Sequence, residues 1–65
     1  MEKIQGEKYD RTEVVVDGKE FTECSFENCM MVYAGDGGSA FLRCSFKDVM
    51  WLFEGAVGRE IRFDG

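Results

Sequence analysis

Three thiols, Cys24, Cys29 and Cys44, stand in a 65-residue chain that contains no histidine. Their positions lack the closely spaced pairs from which a tetrahedral zinc site is built. An odd number of cysteines, with a polar start, MEKIQGEKYD, that carries no signal-peptide pattern, also argues against a disulfide framework. A thiol nucleophile needs a base or a cation beside it, and the sequence places neither next to these three. It holds no G-x-S-x-G motif, and no pair of carboxylates stands apart from the general charge pattern. The expectation is small buried thiols, no catalytic residue, no metal, no cofactor and no enzyme.

Binding chemistry has better candidates. Gly35-Asp36-Gly37-Gly38-Ser39 and Gly55-Ala56-Val57-Gly58 are glycine-rich loops, and consecutive backbone N–H groups in such loops can cradle an anion. Arg59 and Arg62 follow the second loop and would add charge-assisted hydrogen bonds to a phosphate, while Tyr33 or Trp51 would stack on a base. Gly37, Gly38, Tyr33, Trp51, Arg59 and Arg62 thus form the candidate site for a small anionic ligand such as a nucleotide. The loops match neither the Walker nor the dinucleotide fingerprint, and tight corners explain the same glycines more simply.

The elements that must position these groups are legible in a repeat. FTECSFENCMMVYAGDGG, from Phe21, is answered by FLRCSFKDVMWLFEGAVG, from Phe41. Phe21/Phe41, Cys24/Cys44, Ser25/Ser45, Phe26/Phe46, Met30/Met50, Gly35/Gly55 and Gly38/Gly58 are identical at an offset of 20. Within each unit apolar residues recur every five positions, which fits neither a helix nor plain alternation. Short extended segments separated by corners fit it, giving an all-β chain with no substantial helix. Stacking the units in register sets Glu23 beside Arg43 and Glu27 beside Lys47, about 4.8 Å apart on the outside. A duplicated antiparallel hairpin is the alternative.

With Phe21, Phe26, Phe41 and Phe46 at segment centres and Cys24, Cys29 and Cys44 preceding them, the stretch from Val14 to Ile61 resembles the pentapeptide-repeat family. That resemblance implies a right-handed β-helix in which four five-residue sides make one coil, here two coils. The chain departs from the pattern at Asp36, a polar centre, and at Lys19, Glu54 and Arg59, where small residues are usual, so one side of each coil is expected to be a glycine-rich loop. FxxCxFxxC followed by an apolar strand and a glycine turn also resembles short bacterial and phage proteins with no established activity.

The chain reads as one domain: an arm or cap over 1–12, coil one over 13–38, coil two over 39–58 and a terminal edge strand over 59–65. Val14, Val15 and Val16, followed by Asp17-Gly18, make either a hairpin strand with Lys19 to Glu23 or the first side of coil one. In Met30 to Ala34 and Val49 to Phe53 every residue is apolar. If Met31, Tyr33, Trp51 and Phe53 point in, then Met30, Val32, Met50 and Leu52 form an outer apolar patch, and such patches mark interfaces. Folding at this length buries only about 60% of the unfolded surface, so self-association through that face is expected, ahead of cover by the arm.

A net charge of −5 with interleaved signs argues against direct nucleic-acid or anionic-membrane binding. No apolar run approaches the roughly 20 residues of a membrane-spanning helix, and a cytoplasmic protein is expected. The leading functional expectation is a homo-oligomer that holds its ligand between subunits, like phage proteins that sequester nucleotide immune signals; that likeness is one of scale only. An inhibitor or adaptor that docks the apolar face on a host protein is the second reading. A DNA mimic ranks third, because Arg43 and Lys47 interrupt any acidic ridge.

Overall fold

The structure, a computed structural model, describes residues 1–35 and 37–54 and, for 61–64, the backbone. Among the described residues ten short strands follow one another: β1 (Glu2–Gln5), β2 (Lys8–Asp10), β3 (Glu13–Val15), β4 (Lys19–Thr22), β5 (Ser25–Glu27), β6 (Met30–Tyr33), β7 (Ser39–Leu42), β8 (Ser45–Lys47), β9 (Met50–Phe53) and β10 (Ile61–Asp64). They build three sheets in the orders β1-β4-β7-β10, β2-β5-β8 and β3-β6-β9, called sheets I, II and III below. Every pairing is parallel, which rules out the antiparallel hairpin. The chain is an all-β, parallel, solenoid-like stack that visits sheets I, II and III in turn, layer after layer.

Corners explain why the visits are so regular. Sheets I and II, and sheets II and III, are joined by two residues in every layer. The first residue of each such corner has positive φ: Gly6, Glu23 and Arg43 at one, Arg11, Asn28 and Asp48 at the other. One left-handed residue turns the chain sharply, and its N–H still reaches the strand of the next layer, as Gly6 N–H does to Thr22 O (2.9 Å) and Asn28 N–H to Lys47 O (2.9 Å). A Cβ at Gly6 would meet nothing within 4 Å, so Gly6→Ala tests the backbone conformation alone. It is expected to cost about 1 kcal/mol in urea unfolding; an unchanged midpoint would contradict the left-handed corner.

The third corner is the variable one. Between sheets III and I lie 16–18 in the first layer, 34–38 in the second and 54–60 in the third. The layer offset is therefore 17 from Glu2 to Lys19, 20 from Glu20 to Ala40 and 22 from Ser39 to Ile61. This corrects the amino-terminal expectation. Residues 1–12, read as an arm or cap, hold β1 and β2, which pair with β4 and β5 and form a first layer with β3. Val14 and Val15 sit in β3, paired in parallel with β6, so the hairpin with Lys19 to Glu23 does not form.

The interior is an aromatic ladder. Phe21 stacks on Phe41 (5.1 Å between ring centres), and Tyr9, Phe26 and Phe46 stack in line at 5.1 and 5.2 Å. The two columns meet edge to face, Phe21 on Phe26 at 5.4 Å and Phe41 on Phe46 at 5.3 Å. Val14, Val16, Cys24, Cys29, Met31 and Tyr33 complete the buried cluster. On the outside Arg43 Nε lies 3.6 Å from Glu23 Oε2 and Lys47 Nζ 3.6 Å from Glu27 Oε2, each side chain at least half exposed. These exposed pairs set register more than stability.

Candidate interaction site

Sheet III carries the feature most suggestive of binding. Alternation along β6 sends Met31 and Tyr33 into the core, leaving Met30 and Val32 on the other face. Register stacks them into two columns, Val15–Val32–Leu52 and Glu13–Met30–Met50. Met50 is 65% exposed, Val15 48% and Leu52 41%. Val32, expected as an exposed interface residue, is only 6% exposed. Flanked in register by Val15 and Leu52, it is the buried middle of the column. Val15 was missed by sequence reasoning, because the 17-residue offset that aligns it with Val32 differs from the 20-residue repeat.

Phe53 also departs from expectation. Placed inward by its likeness to Tyr33, it is 53% exposed, because among the described residues β9 is the last strand of its sheet. Its ring stacks on Trp51 at 6.1 Å and meets Tyr33 edge-on at 6.2 Å. Trp51 is half-buried, standing edge-on to Phe41 at 5.8 Å.

The anion-site candidates do not come together as one constellation among the described residues. Tyr33 is buried, and its hydroxyl donates to the Gly37 carbonyl at 2.9 Å, so its ring is not offered to a ligand. Gly37 (φ +107°) approaches Gly18 closely, a Cβ there lying 3.6 Å from the Gly18 nitrogen, and Gly18 N–H donates to Gly38 O at 2.8 Å. Asp17 Oδ1 accepts from Ala34 N–H at 2.8 Å. These contacts tie the third corners of successive layers together, the role that tight corners give to glycine. Arg59, Asp36 and Gly55 to Gly58 lie outside the described residues; Arg62 is placed only by register, opposite Ala40 on β10.

The thiols are free and sit at the second position of the corners, Cys24 and Cys29 buried and Cys44 half-buried. Cys24 Sγ lies 3.4 Å from Thr22 O, Cys29 Sγ 3.3 Å from Glu27 O and Cys44 Sγ 3.3 Å from Phe21 O. Burial pushes the Cys44 thiol above its ordinary value, against the lowering effect of backbone hydrogen bonds at Cys24 and Leu42. A thiol so shifted stays protonated, and hence unreactive, to higher pH. The pH of half-maximal iodoacetamide labelling at Cys44, read by mass spectrometry, is expected above the free-cysteine value of about 8.5; a midpoint below it would point to an activated thiol. Among the described residues no group of three or more metal-ligating side chains converges.

The outer face of sheet II bears an open groove of about 520 Å³ lined by Lys8, Asp10, Ser25, Glu27, Ser45 and Lys47. Its charges are of both signs, Lys8 and Lys47 with Asp10 and Glu27, so it presents no continuous acidic or basic field. Among the described residues no helix is long and apolar enough to cross a membrane. Compared with protein-family models, curated proteins and solved structures, the chain matches none.

Proposed function

We propose that this chain is a non-enzymatic, cytoplasmic, homo-oligomeric binding protein, built as a right-handed, pentapeptide-repeat-like solenoid. The right hand follows from the general rule for parallel crossovers. Its two glycine-looped coils, the repeat units beginning at Phe21 and Phe41, are preceded by the shorter first layer. Subunits associate through the outer face of sheet III and hold a small anionic ligand, such as a nucleotide signal, between them.

The observation that carries this reading is the apolar column face on which Val15, Met50 and Leu52 are exposed and Met30 is half-buried, on a chain whose interior is filled by its own aromatics. A subunit with no interior to spare has its best site for a ligand between copies, where aromatic and polar groups can line a pocket. Half-buried Trp51, between Met50 and Leu52 on β9, is the candidate aromatic, and Arg62 on β10 the candidate cation. A phage origin, with sequestration of an immune signal, is the biological setting this scale of protein suits.

Native mass spectrometry of gently purified protein tests the reading. An oligomer carrying extra mass of nucleotide size is the expected result; a bare monomer at micromolar concentration would overturn it. Methionines at 30 and 50 give the same face the adaptability of a docking surface for a host protein. That second reading predicts a monomer that acquires mass only with a partner, and a stable oligomer using the face would remove it.

A further inference from the structure

The two ends of the stack are complementary to each other. At the carboxy-terminal end β8 and β9 are the last strands of sheets II and III, and at the amino-terminal end β2 and β3 are the first. The amino-terminal end is a hollow of about 270 Å³ whose lining includes Ile4, Tyr9, Val14 and Phe21. The opposite end carries Trp51 and the exposed ring of Phe53.

Suppose a second copy repeats the register of the first, its β2 on β8 and its β3 on β9. Its Tyr9 then continues the Tyr9–Phe26–Phe46 stack, and its Val14 and Val15 continue the columns ending at Trp51 and Leu52. The charges agree as well. The column Asp10–Glu27–Lys47 would receive the second copy's Asp10 against Lys47, and the corner column Arg11–Asn28–Asp48 its Arg11 against Asp48. No like charges meet across the junction in either column.

The backbone agrees in the same way. Within the chain Arg11 N–H donates to Glu27 O and Asn28 N–H to Lys47 O, while Ser45 N–H donates to Cys24 O and Met50 N–H to Cys29 O. One layer on, that pattern directs Asp48 N–H to the second copy's Asp10 carbonyl. It also directs the second copy's Lys8 and Glu13 N–H groups to the Cys44 and Val49 carbonyls.

One strand forbids this arrangement. In sheet I the second copy's β1 would have to pair with β7, and that edge is taken by β10, with Ile61 opposite Ser39 and Phe63 opposite Phe41. We propose that the carboxy-terminal edges of β8 and β9 are a docking surface for the amino-terminal end of a second copy, and that β10 is the cap that closes it. Such head-to-tail contacts do not close on themselves, and without a cap they propagate into filaments. This contact uses the ends of the stack and shares Leu52 with association through the face of sheet III, whereas Asp10 and Lys47 belong to the end contact and not to that face.

The test uses full-length variants. In Arg62→Pro/Phe63→Pro one of two consecutive N–H groups must be the one facing β7, so β10 is released while β1 to β9 keep their partners. Sedimentation velocity over a hundredfold range of concentration is expected to show mass growing without a fixed limit in this variant and constant in the parent. Adding Asp10→Lys should weaken the growth at least tenfold. The substitution sets the introduced ammonium against Lys47 across the junction, while relieving the repulsion of Asp10 by Glu27 within the chain, so lost stability cannot account for the effect. Adding Lys47→Asp as well should restore growth.

A release variant that keeps its far-ultraviolet circular dichroism but shows no tendency to grow would overturn the proposal. So would growth indifferent to Asp10→Lys. If the double proline unfolds the chain, Ile61→Gly/Phe63→Gly weakens the same strand without removing a donor and is read in the same way.

Discussion

Phe26→Ala is expected to remove a large part of the chain's stability at 25 °C. Phe26 stands where the two aromatic columns cross, with Tyr9 at 5.1 Å, Phe46 at 5.2 Å, Phe21 at 5.4 Å and Phe41 at 5.8 Å between ring centres. Removing a fully buried phenylalanine typically costs about 3–5 kcal/mol. A domain of this size has roughly 3–10 kcal/mol in total, at about 0.05–0.15 kcal/mol per residue. The loss is thus between about a third and all of what holds the chain folded. Phe46→Ala removes the same atoms from the half-buried last layer and should cost clearly less. Urea titration followed by near-ultraviolet circular dichroism measures both. Equal effects at the two positions would mean that the last layer is covered as well as the middle one.

Met50→Asp/Leu52→Asp is expected to convert the proposed oligomer to monomer without unfolding it. Both side chains lie on the outer face and are 65% and 41% exposed, so charge placed there remains hydrated in the single subunit. In the assembly the same carboxylates would be buried without partners. Each apolar side chain removed from an interface forfeits about 1.5–3 kcal/mol, and an unpaired buried charge adds more. A rise of at least a hundredfold in the dissociation constant follows, since about 1.4 kcal/mol corresponds to a factor of ten. Native mass spectrometry and sedimentation read it directly. An oligomer that survives both substitutions would place its interface elsewhere.

How much of this was legible in the sequence differed from layer to layer, for physical reasons. The second and third layers could be read because their core positions hold identical residues, Phe21 with Phe41 and Phe26 with Phe46, and because Glu23 and Glu27 face Arg43 and Lys47. The first layer has the same geometry with other side chains: Ile4 for Phe21, Tyr9 for Phe26, Val14 for Met31. Its layer offset is also 17 residues in place of 20, so neither identity nor spacing betrayed it.

Alternation alone decides which face a strand residue joins, and it sets Met30 and Met50 in one column on the outer face of sheet III. Exposure is a different matter, because it depends on neighbouring layers. Val32 is covered by Val15 and Leu52, and Phe53 is uncovered because no strand lies beyond β9 among the described residues. A glycine loop looks alike in sequence whether it binds an anion or turns a corner. Only the contacts among Gly18, Gly37, Gly38 and Tyr33 show which task occupies it here.

The unequal corners make the chain tolerant of inserted sequence at one place and intolerant at the others. Adding a residue to either two-residue corner shifts the next strand by one position, turning every inward side chain outward. The third corner has already absorbed 20-residue spacing in place of 17 while all three sheets kept their register. Foreign peptides grafted between Ala34 and Gly38 would therefore be displayed on a scaffold that does not register their length, which makes this edge of the molecule the one where new recognition loops can be acquired without refolding the rest.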